Sequence, residues 1–167
     1  MMKIQIAGIK EQLGASSSFT FACSPLQLDL AESAPWIQGD VQVAGLVTNT
    51  GNGLQVNGTI SIPAAFACTA CLEAVALTLE SVFSEIFQEG VEPEEADADW
   101  LFYQGDDIDI SEMIREHIIL SEPLKPICRD DCRGLCSRCG INLNHGTCSC
   151  EQKTVDPRLA GLQKLLK

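Results

Sequence analysis

No stretch of the chain approaches the roughly 18 to 20 consecutive apolar residues that a membrane-spanning helix needs. The opening "MMKIQIAGIKEQ" has neither the apolar core nor the small-residue cleavage site of a signal peptide. The chain is therefore expected in the cytoplasm, with no membrane partner. Aromatic residues make up only 5% of the sequence, so a core must be assembled mainly from Ile, Leu, Val and Ala. Basic residues are scarce too, with 11 Lys and Arg against 23 Asp and Glu for a net charge of −12. The shortage is uneven. Residues 1–122 hold three basic groups against 19 acidic ones, whereas residues 123–167 hold eight against four. An acidic body joined to a basic tail points to the tail as the part that meets a partner.

What the chain has in quantity is cysteine, nine in 167 residues. An odd number cannot pair fully within one chain, and a reducing compartment favours metal ligation or redox chemistry over structural disulfides.

Most of the first 87 residues read as β-structure. "KIQIAGI" alternates, and "DVQVAGLVTNTG" and "GLQVNGTISIP" are strand-like runs joined by a turn at Asn49–Gly53. "AVALTLESVFSEIF" places Val75, Leu77, Leu79, Phe83 and Phe87 on one face at period two. Weaker strands are expected at Phe19–Cys23 and Leu26–Leu30. The fold expected is α+β: an antiparallel β-barrel or sandwich over 1–87, an acidic linker over 88–109, a helix over 110–122, and a cysteine-rich zinc-binding tail over 123–167. The linker carries nine acids and no base, with Trp100, Leu101, Phe102 and Tyr103 anchoring it to the sheet.

In "IDISEMIREHIILSEP", Asp109 and Glu112 have capping-box spacing, and Ile110, Met113, Ile114, His117 and Ile118 form one stripe. His117 on that stripe reads as a boundary histidine rather than a ligand. Near the end, "DPRLAGLQKLLK" predicts a short helix with Asp156 as cap and Pro157 at its first position.

Eight of the cysteines come in close pairs: Cys68 and Cys71, Cys128 and Cys132, Cys136 and Cys139, Cys148 and Cys150. Cys23 stands alone in a predicted strand as a small buried hydrophobe. A turn that supplies two thiolates, joined by a second such turn, completes a tetrahedral zinc site. "CSRCG" is the most specific pair, because Gly140 permits the positive φ that closes a knuckle. Cys136 and Cys139 find their most local complement in Cys148 and Cys150, which leaves Cys128 and Cys132 to join Cys68 and Cys71. Alternatively Cys128, Cys132, Cys136 and Cys139 form one compact site; spacing does not choose, so one or two zinc ions are expected. His145 in the "NHG" turn could replace a cysteine ligand but reads better as a surface residue.

A redox dithiol is the competing chemistry, and it would want a thioredoxin-like βαβ context that the β-rich prelude does not offer. Cys132, Cys136 and Cys139 also match the cluster spacing of radical S-adenosylmethionine enzymes, but Arg138 stands where that family carries an aromatic. Residues 124–155 have few large apolar side chains, whereas a structural zinc site contributes on the order of 10 to 16 kcal/mol. All-cysteine ligation leaves no open metal position, so no catalytic residue is assigned and no small-molecule substrate is expected. Arg129, Arg133 and Arg138, with Lys153 and Arg158 beyond them, are the candidate contacts to phosphates or to a protein partner.

In order along the chain, "CTACLE", "DIDISEMIREHIILSEPLKPIC", "CRGLCSRCGINLN", "CSC" and "DPRLAGLQKLL" resemble the YceD-like family of large ribosomal RNA subunit accumulation proteins, from about residue 40 to the end. The resemblance implies a non-enzymatic ribosome-biogenesis factor that promotes accumulation of 23S rRNA. It implies metal and nucleic-acid binding, with rRNA or a large-subunit ribosomal protein as partner. The motif cysteines it carries over are the same eight. One departure is Ala70, which stands where many members have a basic or polar residue. A protein–protein adaptor with purely structural zinc is the other reading that the residues support.

Overall fold

The computed structural model describes residues 2–91 and 101–150. The chain divides into two compact units, one comprising Met1–Phe66 with Ala76–Leu124 and the other Ala67–Val75 with Lys125–Lys167.

Unit 1 is built on strands β1 (Lys3–Gln5), β2 (Ser16–Cys23), β3 (Val41–Asn49), β4 (Leu54–Ala67), β5 (Ala74–Glu89), β6 (Leu101–Tyr103) and β7 (Asp107–Asp109), followed by helix α1 (Ser111–Leu120). The strands form a five-stranded sheet in the order β2-β3-β4-β5-β6 and a two-stranded sheet of β1 with β7. Pairing is antiparallel for β2 with β3, β3 with β4, and β1 with β7. The connection of β4 to β5, residues 68–73, is too short for a parallel crossover. Among the described residues, β6 alone runs parallel to its neighbour, setting Leu101 opposite Phe87. The large sheet ends in two edges, so it does not close into a barrel, and the sandwich-like alternative stands.

The burial pattern follows the sequence pattern. Val41, Val43 and Val47 of β3 and Val56, Ile60 and Ile62 of β4 are fully buried at period two. Phe83 and Phe87 of β5 are buried, while Val75, Leu77 and Leu79 on the same face are half-buried. With so few aromatics, the sheet makes room for those it has: a Cβ on Gly58 would lie 2.5 Å from the Phe83 ring, and one on Gly45 would lie 2.6 Å from that of Phe19. The β3–β4 turn forms where Asn49–Gly53 predicts it. The Asn49 side chain accepts from the Gly51 amide and donates to the carbonyls of Ile9 and Lys10.

Leu26–Leu30 is not a strand. Pro25–Leu28 is a 3-10 turn, with the Ser24 amide donating to the Gln27 side chain and Asp29 closing it at φ 51°. Pro25 at the first turn position fixes φ and has no amide to give a ladder, which overrides the apolar alternation.

Residues 88–109 hold, among those described, the end of β5, all of β6 and all of β7. The expected anchor at Trp100 and most of the acidic run, 92–100, lie outside the described residues. Helix α1 starts where Asp109 accepts the Ser111 amide at 3.0 Å, and it buries Met113, Ile114 and Ile118 behind Ile110. His117 sits at the boundary, 3.4 Å from Glu85 and against the Phe83 ring. Cys23 is buried, with its sulfur facing Met2 and the Val41 carbonyl. The predicted helix after Asp156 lies outside the described residues.

Candidate metal centres

Unit 2 gathers the eight paired cysteines into two groups of four. Cys68, Cys71, Cys128 and Cys132 make the first and Cys136, Cys139, Cys148 and Cys150 the second, and within each group the sulfur atoms all lie within 4.8 Å of one another. Of the two groupings the spacing left open, the geometry brings together this one. The compact set of Cys128, Cys132, Cys136 and Cys139 is not formed.

Both groups start from the same local device. In the first, the Cys68 amide donates to the Glu73 carbonyl at 2.8 Å and the Leu72 amide returns to the Cys68 carbonyl at 2.9 Å. In the second, the Cys136 amide donates to the Ile141 carbonyl and the Gly140 amide to the Cys136 carbonyl, both at 2.9 Å. The residue after the second cysteine takes positive φ in each, 63° at Leu72 and 74° at Gly140. "CTACLE" and "CSRCGI" are thus two copies of one knuckle, a relation hidden in the sequence because a leucine occupies the glycine position.

Two contacts in the first group fit a tetrahedral metal. The Cys68 and Cys132 sulfurs are 3.9 Å apart and those of Cys71 and Cys128 are 3.6 Å apart. Four thiolates at about 2.3 Å from a zinc ion stand roughly 3.8 Å from each other.

The backbone already favours thiolate at one cysteine per knuckle. Amides of Cys71, Ala70 and Cys128 aimed at the Cys68 sulfur outweigh its burial and bring its pKa down to about 6. The amides of Cys139 and Arg138 do the same for Cys136, also to about 6. Cys132 is lowered, first by the Asn144 side chain and then by the Gly134 amide. At Cys71 the Glu73 amide pulls downward, but burial and the neighbouring thiols together push it up to about 12. Contact with Cys139, followed by burial, pushes Cys150 up to about 12. Each group therefore holds a charge that attracts a cation, together with protons that a metal would displace.

Several residues that the sequence reading passed over complete the site. The Asn144 amide side chain donates to the Cys132 sulfur at 3.4 Å, while its oxygen accepts from the Arg133 amide at 2.9 Å. Gly134, at φ 68°, faces Ala70: an added Cβ would lie 3.0 Å from the Ala70 carbonyl, which also accepts the Leu135 amide. Ala70 thus serves the join between the two segments through its backbone. His145 is exposed and bonds Glu73, holding that carboxyl below the usual range, and it belongs to neither four-sulfur group. Turn chemistry in "NLNHG" was the only sequence signal for these contacts.

Arg129, Arg133 and Arg138 are all exposed, and Arg129 pairs with Asp131 at 3.3 Å. Lys153 and Arg158 lie outside the described residues. Among the described residues, no helix is long and apolar enough to cross a membrane.

Residues 56–166 match the family model described as large ribosomal RNA subunit accumulation protein YceD. An uncharacterized protein of Mycobacterium tuberculosis is 30% identical over 123 residues, covering 72% of this chain and 59% of that protein. Relatives from Zea mays and Arabidopsis thaliana, each named large ribosomal RNA subunit accumulation protein YCED homolog 1, chloroplastic, are both 27% identical. They cover 65% and 70% of this chain, which spans only 48% and 45% of their lengths. No solved structure matches the chain.

Proposed function

The chain belongs to the YceD family of large ribosomal RNA subunit accumulation proteins, and from that premise we propose that it promotes 23S rRNA accumulation without catalysing a reaction. The observation that carries the reading is the pair of all-cysteine groups in unit 2. Zinc suits four thiolates at these spacings, and a four-thiolate site keeps no position for water or substrate. The chemistry zinc supplies there is a cross-link. Cys68 and Cys71 with Cys128 and Cys132 would hold one ion; Cys136 and Cys139 with Cys148 and Cys150 would hold the other. Between these ligands the chain presents Arg129, Arg133 and Arg138 outward, where they contact rRNA or a large-subunit ribosomal protein.

Charge favours the protein half of that choice. Unit 2 has eight basic and five acidic residues, and two tetrathiolate zinc sites at about −2 each would bring it close to neutral. An adaptor that docks on a ribosomal protein fits this balance better than a polyanion binder.

Binding to large-subunit rRNA fragments across a range of salt concentrations tests the choice. Phosphate contacts by three arginines predict a steep loss of affinity with salt, reduced when Arg129, Arg133 and Arg138 are changed to glutamine. A flat response assigns the tail to protein docking.

A further inference from the structure

Strand β5 runs from Ala74 to Glu89, yet β6 pairs with it only from Phe87 to Glu89. Among the described residues, no strand pairs with β5 on that side between Ala76 and Ile86. The direction of its backbone groups follows from the pairing. The Gly90 amide donates to Tyr103 of β6. Backbone groups alternate sides along a strand, so those of the even-numbered residues, from Gln88 back through Val82 to Ala76, face the open side.

An open edge of about 35 Å is a template for another strand. Folds blunt such edges with proline, lysine, bulges or short strands. Between Ala74 and Glu89 there is no proline, glycine, lysine or arginine. The side chains of Ala76, Thr78, Glu80, Val82 and Ser84 are exposed, Val82 at 76%. Glu80, Glu85 and Glu89 are the strand's only charges.

We propose that the β5 edge from Ala76 to Ile86 receives an extended, basic segment of a partner protein as an added strand. Main-chain hydrogen bonds fix the segment; on the face that exposes Glu80 and Val82, its apolar side chains cover Val82 and its basic side chains meet Glu80. Charge selects this occupant. A second copy would bring another glutamate-bearing edge against this one, and RNA would bring phosphates to a body with three basic groups against 19 acids. The opposite edge, β2, has no charged residue between Ser16 and Cys23 and so no such selectivity.

The test uses the whole chain and a fluorescently labelled synthetic peptide in which valine and lysine follow one another along one face, with threonine at every second position, titrated by anisotropy. Val82→Pro removes an amide that faces the open side and spares the β4 ladder. The expected result is binding to the native chain, at least tenfold weakening by Val82→Pro, and several-fold weakening with a flatter salt dependence by Glu80→Lys. Circular dichroism checks that the proline variant is folded. If it is not, the decision rests on Glu80→Lys and on amide-exchange protection of Thr78, Glu80, Val82 and Ser84 by peptide in the native chain. The proposal is overturned if neither variant weakens binding and no protection appears. It is equally overturned if the same peptide with glutamate in place of lysine binds as well, or if Val82→Pro instead dissolves a dimer of the native chain.

Discussion

The two cysteine groups use one knuckle for different tasks. In the first, the sulfur contacts join residues 57 and 64 positions apart, whereas the second closes entirely within residues 136–150. Cys68 and Cys71 are buried; Cys139 of the second group is exposed. Closing a loop of about 60 residues costs roughly 1 kcal/mol more than closing one of about 15, because loop entropy grows only with the logarithm of length. The larger difference is in what each closure holds. The first group joins the β4–β5 connection to the segment after Pro126, while the second stiffens a stretch that is already local.

The largest expected effect therefore separates the two groups. Changing Cys68 and Cys71 to serine should remove one zinc per chain and, with it, up to about 10 kcal/mol of metal-linked stabilisation. The Thr69 amide, bonded to Pro126 at 2.9 Å, should lose its protection from exchange. Changing Cys136 and Cys139 to serine should also remove one zinc yet leave Thr69 protected. Loss of that protection in both variants would show that the groups fold as one unit.

Acid should act next. A tetrathiolate needs all four protons gone, and the backbone lowers Cys68 and Cys136 from 9.0 to about 6. Protons and zinc compete for the same four sulfurs, so a chelator should strip zinc progressively more easily as pH falls. Cys71 and Cys150, pushed up to about 12, give up their protons only in exchange for metal. Zinc uptake at pH 7 should accordingly acidify an unbuffered solution, which an indicator dye would report.

How far these features could be read beforehand depends on how local they are. Period-two burial in β3 and β5, the Asn49–Gly53 turn, the stripe on α1 and the division of eight cysteines into four pairs are properties of short segments, and the sequence states them. Which pairs share a site depends on where the β4–β5 connection comes to lie, and no spacing encodes that. Glu73 and Gly134 were unread for the same reason, since each acts on a segment far from its own, His145 and Ala70 respectively. Leu26–Leu30 failed differently: Pro25, with no amide to give a ladder, overruled its apolar alternation.

Gly134→Ala tests the join between segments. Its φ of 68° and the Ala70 carbonyl 3.0 Å from an added Cβ together predict a loss of about 1–2 kcal/mol. Thermal unfolding of the zinc-loaded chain would measure it, and an unchanged midpoint would mean that the two segments shift apart freely.

The smallest effect is the sharpest comparison of the knuckles, because it tests the left-handed position where one carries leucine and the other glycine. Leu72 takes a left-handed conformation that costs a residue with a Cβ about 1 kcal/mol, and it is 67% exposed, so little burial is lost when it is trimmed. Leu72→Gly should stabilise the zinc-loaded chain by about 1 kcal/mol or less, part of the gain being offset by the greater freedom of glycine in the unfolded chain. At Gly140 an added Cβ meets nothing within 4 Å, so Gly140→Ala carries the conformational cost alone and should destabilise by about 1 kcal/mol. Opposite signs in denaturant unfolding would establish that the knuckles are one device, and that Leu72 is held against its backbone preference. Equal signs would mean that the leucine side chain contributes packing in the first knuckle that the second does without.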